Sequence, residues 1–252
     1  MDKTLLKGLA VLEAVAEKTG KPRTIEELAR QLQLTRSTVH RTLQTLAHAG
    51  YLAQEGSGSY YTTMKLFEIG ASQLQRFDVR RFAQPVMQAL QEDTGENVHL
   101  SVLEAFSVIY IDKIESEQAV RSFTAIGARA PAYAVATGKA MLAHQPEGYV
   151  ERHAVDMKAH TPLTVHTLEG LREILRAVRR DGYATNQGEW REGVGGCAVP
   201  VFDSNGRVIA SLGVSGPLTR LSRERLQELG PIVRRRGEEL SAAIGYRPPA
   251  AG

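Results

Sequence analysis

The sequence predicts a multidomain α+β protein: a small helical head closed by a β-hairpin, a linking helix, and a larger α/β domain on a mainly antiparallel sheet. Three observations carry this. The first sixty residues hold three helix-length apolar patterns and then two short β-prone runs around a Gly-rich tip. Beyond about residue 78, strands and helices interleave, and the clearest strands come as hairpins. The 252 residues suffice for one large domain or two ordinary ones.

In the head, Leu5, Leu9, Leu12 and Ala16 recur at helical spacing, with Leu6 and Val15 beside them, and Gly20 and Pro22 stop the helix. Thr24 and Glu27 have capping-box spacing before a short helix with Ile25, Leu28, Ala29 and Leu32 on one face. Thr35 is the N-cap of a third helix, Val39, Leu43 and Leu46 are its buried stripe, and Gly50 is its left-handed stop. "YLAQEGSGSYYTT" then reads as a hairpin with a flexible tip. This order describes a winged helix-turn-helix over residues 1–63.

The third helix lies in an interval without a carboxylate, from Leu28 to Gln54. Its outer face carries Arg36, Ser37, Thr38, His40, Arg41 and Gln44, with Ser57 and Gly58 at the wing tip. Phosphates repel acids and reward Arg, hydroxyls and Gln, so the face suits the major groove of double-stranded DNA. A polar helix face is often merely solvated. The helix spacing, the cap and the Gly-rich hairpin together favour DNA.

Residues 64–77 read as a linker helix and 78–249 as the second domain. "VRRFAQPVMQALQEDTG" is an amphipathic helix; "NVHLSVLE" and "SVIYIDKIE" alternate as strands; "AVRSFTAIG" is a third strand. Pro131 opens the helix "PAYAVATGKAMLA", whose first turn has free N–H groups suited to a carboxylate. "TLEGLREILRAVRRDG" is a surface helix, "GCAVPVFDSNGRVIASLGVSG" a hairpin on an Asn-Gly turn, and a last helix carries Gly230-Pro231 as a kink point.

Composition excludes several classes. Apolar and charged fractions of 42% and 23% are those of a globular chain. The net charge of +3 is only a mild hint of an anionic partner. The single cysteine, Cys197, rules out an internal disulfide and a Cys-based zinc finger, and suits a cytoplasmic location. No apolar run approaches the roughly 18 residues of a membrane helix. No enzyme motif is complete: HExxH is missing, "TGKA" lacks the first Gly and the Ser/Thr of a P-loop, and Pro217 replaces the last Gly of a nucleophile elbow. We expect no catalytic residues, no metal and no cofactor.

The chain resembles the IclR family of bacterial transcription regulators. "TRSTVHRTLQTLAHAGYL" is similar to its recognition helix and wing start, and "YYTTMKLFEIGA" to its wing exit. "GARAPAYAVATGKAMLA" and "GEWREGVGGCAVPVFDSNGRVIASLGVSGP" are similar to its two effector-domain signatures. The wording "AQEG", "KLFEIGA" and "VIYIDKIES" is nearest the KdgR-like, sugar-acid branch. The resemblance implies a GAF-like effector domain and a dimer or dimer of dimers on a roughly palindromic operator. It also implies an effector pocket at Ala130, Ala136, Thr137, Gln187, Gly195, Cys197 and Ser215, to which Tyr133 adds a phenol. Gln187 and Gly213 depart from an acid and a hydroxyl common in the family, which puts direct transfer of ligand identity in doubt. His99 reads as a structural strand residue. The resulting expectation is a repressor of a catabolic operon that senses a small organic or sugar acid. Two alternatives stand beside it: an architectural DNA binder without a ligand, and an enzyme with a DNA-binding head.

Overall fold

The computed structural model describes residues 1–17, 23–56, 58–74, 79–120, 122 and 124–247. The chain divides into two compact units, Met1–Phe77 and Asp78–Gly252. Among the described residues no helix is long and apolar enough to cross a membrane.

The first unit is built from α1 (Lys3–Ala16), α2 (Ile25–Leu32), α3 (Arg36–His48), a hairpin of β1 (Leu52–Gln54) and β2 (Tyr60–Thr62), and α4 (Met64–Leu74). The Thr24 capping box forms in full: its hydroxyl accepts from Glu27 N–H, and the Glu27 carboxylate accepts from Thr24 N–H. Thr35 caps α3, and Gly50 follows it at φ +80°. Lys65 at the start of α4 donates to Ala49 O at 2.6 Å, placing a cation on the α3 C-terminus. Arg23 and Tyr60 exchange backbone hydrogen bonds, which extends the two-stranded wing sheet by one bridge.

The apolar stripe expected on α1 needs correction. Val11, Ala14 and Val15 are the buried residues, packed with Leu28, Val39 and Leu43, while Leu5, Leu6 and Leu9 are exposed. Only the second half of α1 meets the core, so the leucines of its first half stay exposed among the described residues. The expected stop at Gly20 and Pro22 lies outside the described residues.

The second unit begins with α5 (Val79–Thr94), followed by β3 (Asn97–Glu104), β4 (Ser107–Ile114) and β5 (Arg129–Pro131). A 3-10 turn at Ala132–Ala134 leads into α6 (Ala136–Leu142), then α7 (Tyr149–His153) and α8 (Leu168–Asp181). The chain closes with β6 (Ala184–Gln187), β7 (Val194–Phe202), β8 (Val208–Pro217) and α9 (Arg223–Ala243). The sheet order is β5-β4-β3-β8-β7-β6, antiparallel throughout. α5 and α9 pack together on one face, where Val199 meets Gly237. The opposite face carries Ala184, Ala198, Val108 and Tyr110 under α6 and α8.

Two further expectations change. No strand forms over the described residues of "AVRSFTAIG"; the third strand is the shorter β5 after it. The helix expected after Pro131 starts five residues later, because Ala132–Ala134 turn tightly and Val135 is extended. Gly138 explains the tightness: a Cβ there would lie 2.1 Å from Ala132 O. Only glycine lets α6 fold back so closely on the turn that leads into it.

Candidate functional site

Two sites emerge, one in each unit. On α3, Val39 and Leu43 point into the core, so the helix turns Ser37, His40, Arg41 and Gln44 outward. These four are exposed at i, i+3, i+4 and i+7, one continuous face. Thr38 is half-buried, and its hydroxyl meets that of Thr35 at 2.8 Å. Arg36 is exposed and ion-paired with Glu26 of α2. The pair is solvent-exposed, so it is weak and screened by salt. Gly58 sits at the wing tip with φ +84°. Ser57 lies outside the described residues.

In the second unit a small cavity opens between the start of α6 and the sheet. Its free volume is about 50 Å3, counted to the centre of a water molecule, so it admits a small ligand. Ala136, Thr137, Gly195 and Ser215 line it together, joined by His99, Tyr110, Ser122, Asn186, Trp190 and Arg191. Among the described residues the lining holds one guanidinium and no carboxylate. Arg191 lies over the Trp190 ring, 4.3 Å from its centroid.

The polar groups have shifted or unmet chemistry. Burial, aided by the Lys113 charge, holds the His99 pKa at about 4, so the ring is neutral at pH 7. Its Nε2 is 2.7 Å from Ser215 Oγ, while Nδ1 is buried without a partner among the described residues. Burial pushes the Tyr110 phenol up to about 12. The Thr137 hydroxyl sits near that phenol but makes no hydrogen bond of good geometry. Buried polar atoms without partners are costly, and this cavity collects two of them.

The remaining residues singled out in the sequence lie elsewhere. Ala130 is buried on β5 opposite Val108. Tyr133 stacks on Phe106, and its phenol donates to Lys158 O and accepts from Lys158 N–H, which ties a distant loop to the turn before α6. Gln187 borders a separate cleft with Tyr183, Arg223 and Gln227. Cys197 is fully buried, and burial pushes its thiol up to about 12.

Strand alternation explains the last two. Asn186 pairs with Gly196, and Gly196 with Ser215, so all three share the cavity face. Gln187 and Cys197 are each one residue on and therefore point to the other face. Gly213 also fits its place: a Cβ there would lie 2.6 Å from Ala198 Cβ, so a hydroxyl side chain has no room. His99, Asn186 and Arg191 were missed. The usable signal for His99 was its parity with Asn97 and Ser101 on a strand whose intervening residues, Val98 and Leu100, are apolar.

Comparison with known proteins places both units in one family. Residues 4–56 match the IclR helix-turn-helix domain, and residues 71–242 match the bacterial transcriptional regulator IclR C-terminal domain. The HTH-type transcriptional regulator KdgR of Escherichia coli (strain K12) is 39% identical over 246 residues, 96% of this chain and 93% of that protein. The transcriptional repressor IclR of the same organism is 32% identical over 96% of this chain and 90% of its own. Among solved structures, an IclR homologue from Microbacterium hydrocarbonoxydans in complex with 4-hydroxybenzoate superposes with a TM-score of 0.79 at 26% identity, over 96% of this chain and 99% of that one. This chain belongs to the IclR family of bacterial transcriptional regulators, and its first unit is that family's DNA-binding helix-turn-helix domain.

Proposed function

We propose that the protein is a cytoplasmic, ligand-gated repressor of a bacterial catabolic operon. In this reading residues 1–63 bind operator DNA, 64–77 link, and 78–249 form a GAF-like effector domain. The effector is a small organic acid, of the class that includes sugar acids. One observation carries this: the cavity lining offers a guanidinium and several hydroxyls and holds no carboxylate among the described residues. Such a lining attracts an anion and repels none. The 4-hydroxybenzoate complex of the Microbacterium homologue supports the same class. Ala136, Thr137, Gly195 and Ser215 contact the ligand; Ala130, Tyr133, Gln187 and Cys197 support the pocket's frame.

On DNA, Ser37, Thr38, His40, Arg41 and Gln44 face the major groove, Arg36 meets phosphate on release from Glu26, and Ser57 and Gly58 approach the adjacent backbone. The protein binds a roughly palindromic site as a homodimer or a dimer of dimers. It performs no catalysis. The ligand must bind the DNA-competent and DNA-incompetent states unequally, or it switches nothing. A thermal-shift screen against sugar acids, keto acids and aromatic acids tests this, with each hit carried into a gel shift on the protein's own upstream DNA. A carboxylate that stabilises the protein and alters DNA affinity supports the reading. Tight DNA binding with no stabilising acid points instead to a ligand-independent architectural protein.

A further inference from the structure

His99, Ser215, Ser122 and Asn97 form a continuous hydrogen-bonded chain whose direction can be read. Asn97 is oriented without ambiguity, because Ser116 N–H donates to its Oδ1 at 2.7 Å. Its Nδ2 is therefore the donor to Ser122 Oγ at 3.0 Å and to Ser122 O at 2.6 Å. Ser122 Oγ lies 2.8 Å from Ser215 Oγ, which in turn lies 2.7 Å from His99 Nε2. Having accepted from Asn97, Ser122 satisfies its own O–H by donating to Ser215. Ser215 then donates to Nε2. The opposite polarity leaves the Ser122 O–H with no protein acceptor among the described residues, so the first arrangement is favoured.

The proton of the neutral imidazole must then sit on Nδ1. That atom is buried and has no partner among the described residues. The His99 ring is also a shared wall: it borders the small cavity and an adjoining cleft lined by Lys113, Glu115 and Thr124. A buried N–H left unmet at the wall of a binding cavity is costly in the free protein and becomes favourable once an acceptor arrives.

We propose that His99 is a specificity-determining residue of this cavity, its Nδ1–H held ready by the Asn97–Ser122–Ser215 chain to donate to a carboxylate or carbonyl oxygen of the effector. The proposal rests on reading the cavity as the effector site and deepens it. The Arg191 guanidinium in the cavity lining favours a carboxylate over a neutral carbonyl. An ammonium, offering only donors, finds no acceptor on this ring.

The tautomer is measurable without any ligand. Two-bond proton–nitrogen correlation spectra of the full-length protein labelled at histidine, with the His99 signals assigned by their loss in His99→Gln, report which nitrogen carries the proton. At pH 7 we expect the proton on Nδ1, and expect Ser215→Ala to shift population toward Nε2–H. A proton on Nε2 in the unaltered protein overturns the chain's polarity, whatever the cavity binds. The same sample is then titrated with acetate and with 4-hydroxybenzoate. Downfield movement of the Nδ1 proton supports the donor role, and a proton left in place by both overturns it. That last result leaves the effector reading to the thermal-shift screen, so the two can fail separately.

Discussion

The ammonium of Lys139, buried within α6, donates to both carboxylate oxygens of Glu189, at 2.8 and 2.6 Å. The pair ties α6 to the loop between β6 and β7, from which Trp190 and Arg191 reach the cavity. Burial lowers the Lys139 pKa, and Glu189 opposes that shift without cancelling it. Breaking such a pair leaves a charge that water cannot reach. We expect Glu189→Gln to destabilise the second unit by about 3 kcal/mol, and the double variant Lys139→Met/Glu189→Gln to recover much of the loss. Urea denaturation checks both; a double variant worse than the single one contradicts this account.

Acid should act through His99. Its pKa is about 4 in the folded protein against 6.5 for the free side chain. Between those values the unfolded chain binds a proton that the folded protein rejects. Stability therefore rises as pH increases from 4 to 6.5, and this group contributes nothing at pH 7. At pH 4 the penalty is about 3 kcal/mol. Unfolding free energies of the unaltered protein and His99→Gln, compared at pH 4 and pH 7, should show the smaller acid loss in the variant. Equal acid losses would locate the sensitivity elsewhere.

Gly138 offers a test by overpacking. A single methyl group there meets Ala132 backbone atoms at 2.1 to 2.6 Å. Gly138→Ala should cost about 3 kcal/mol or more, since backbone rather than a flexible side chain must yield. A loss under about 1 kcal/mol in the same denaturation assay would mean that the turn before α6 relaxes freely.

Arg41 is exposed on α3 and makes no ion pair among the described residues, unlike Arg36. Arg41→Ala should weaken operator binding by about 1 kcal/mol or more without altering thermal stability. A salt-matched gel-shift titration reads this directly. Unchanged affinity would remove Arg41 from the interface.

Local rules made the first unit largely legible. The Thr24 box, the Thr35 cap and the α3 stripe follow from spacing and chain chemistry alone. α1 was harder because it is apolar on several sides: Leu5 and Leu9 fit the same period as Val11 and Val15, and only the position of α3 selects between them. The cavity was half legible. Thr137 and Ser215 came from resemblance to known signatures, but Gln187 and Cys197 lie one residue out of phase with the strand face that lines the cavity. His99 looked like an ordinary strand residue, because the serine it bonds is 116 positions away and comes near only through the pairing of β3 with β8.

The central claim is that occupancy of the cavity beside α6 controls DNA affinity. Its most direct test measures affinity for the protein's own upstream DNA, by fluorescence anisotropy, with and without the carboxylate that most stabilises it against heat. The unaltered protein and Thr137→Ala/Ser215→Ala are compared side by side. We predict about a tenfold or larger change for the unaltered protein, the scale of a typical coupling free energy. The double variant should bind DNA equally well and ignore the ligand. An affinity that the ligand leaves unchanged, or a double variant that responds in full, would contradict the account.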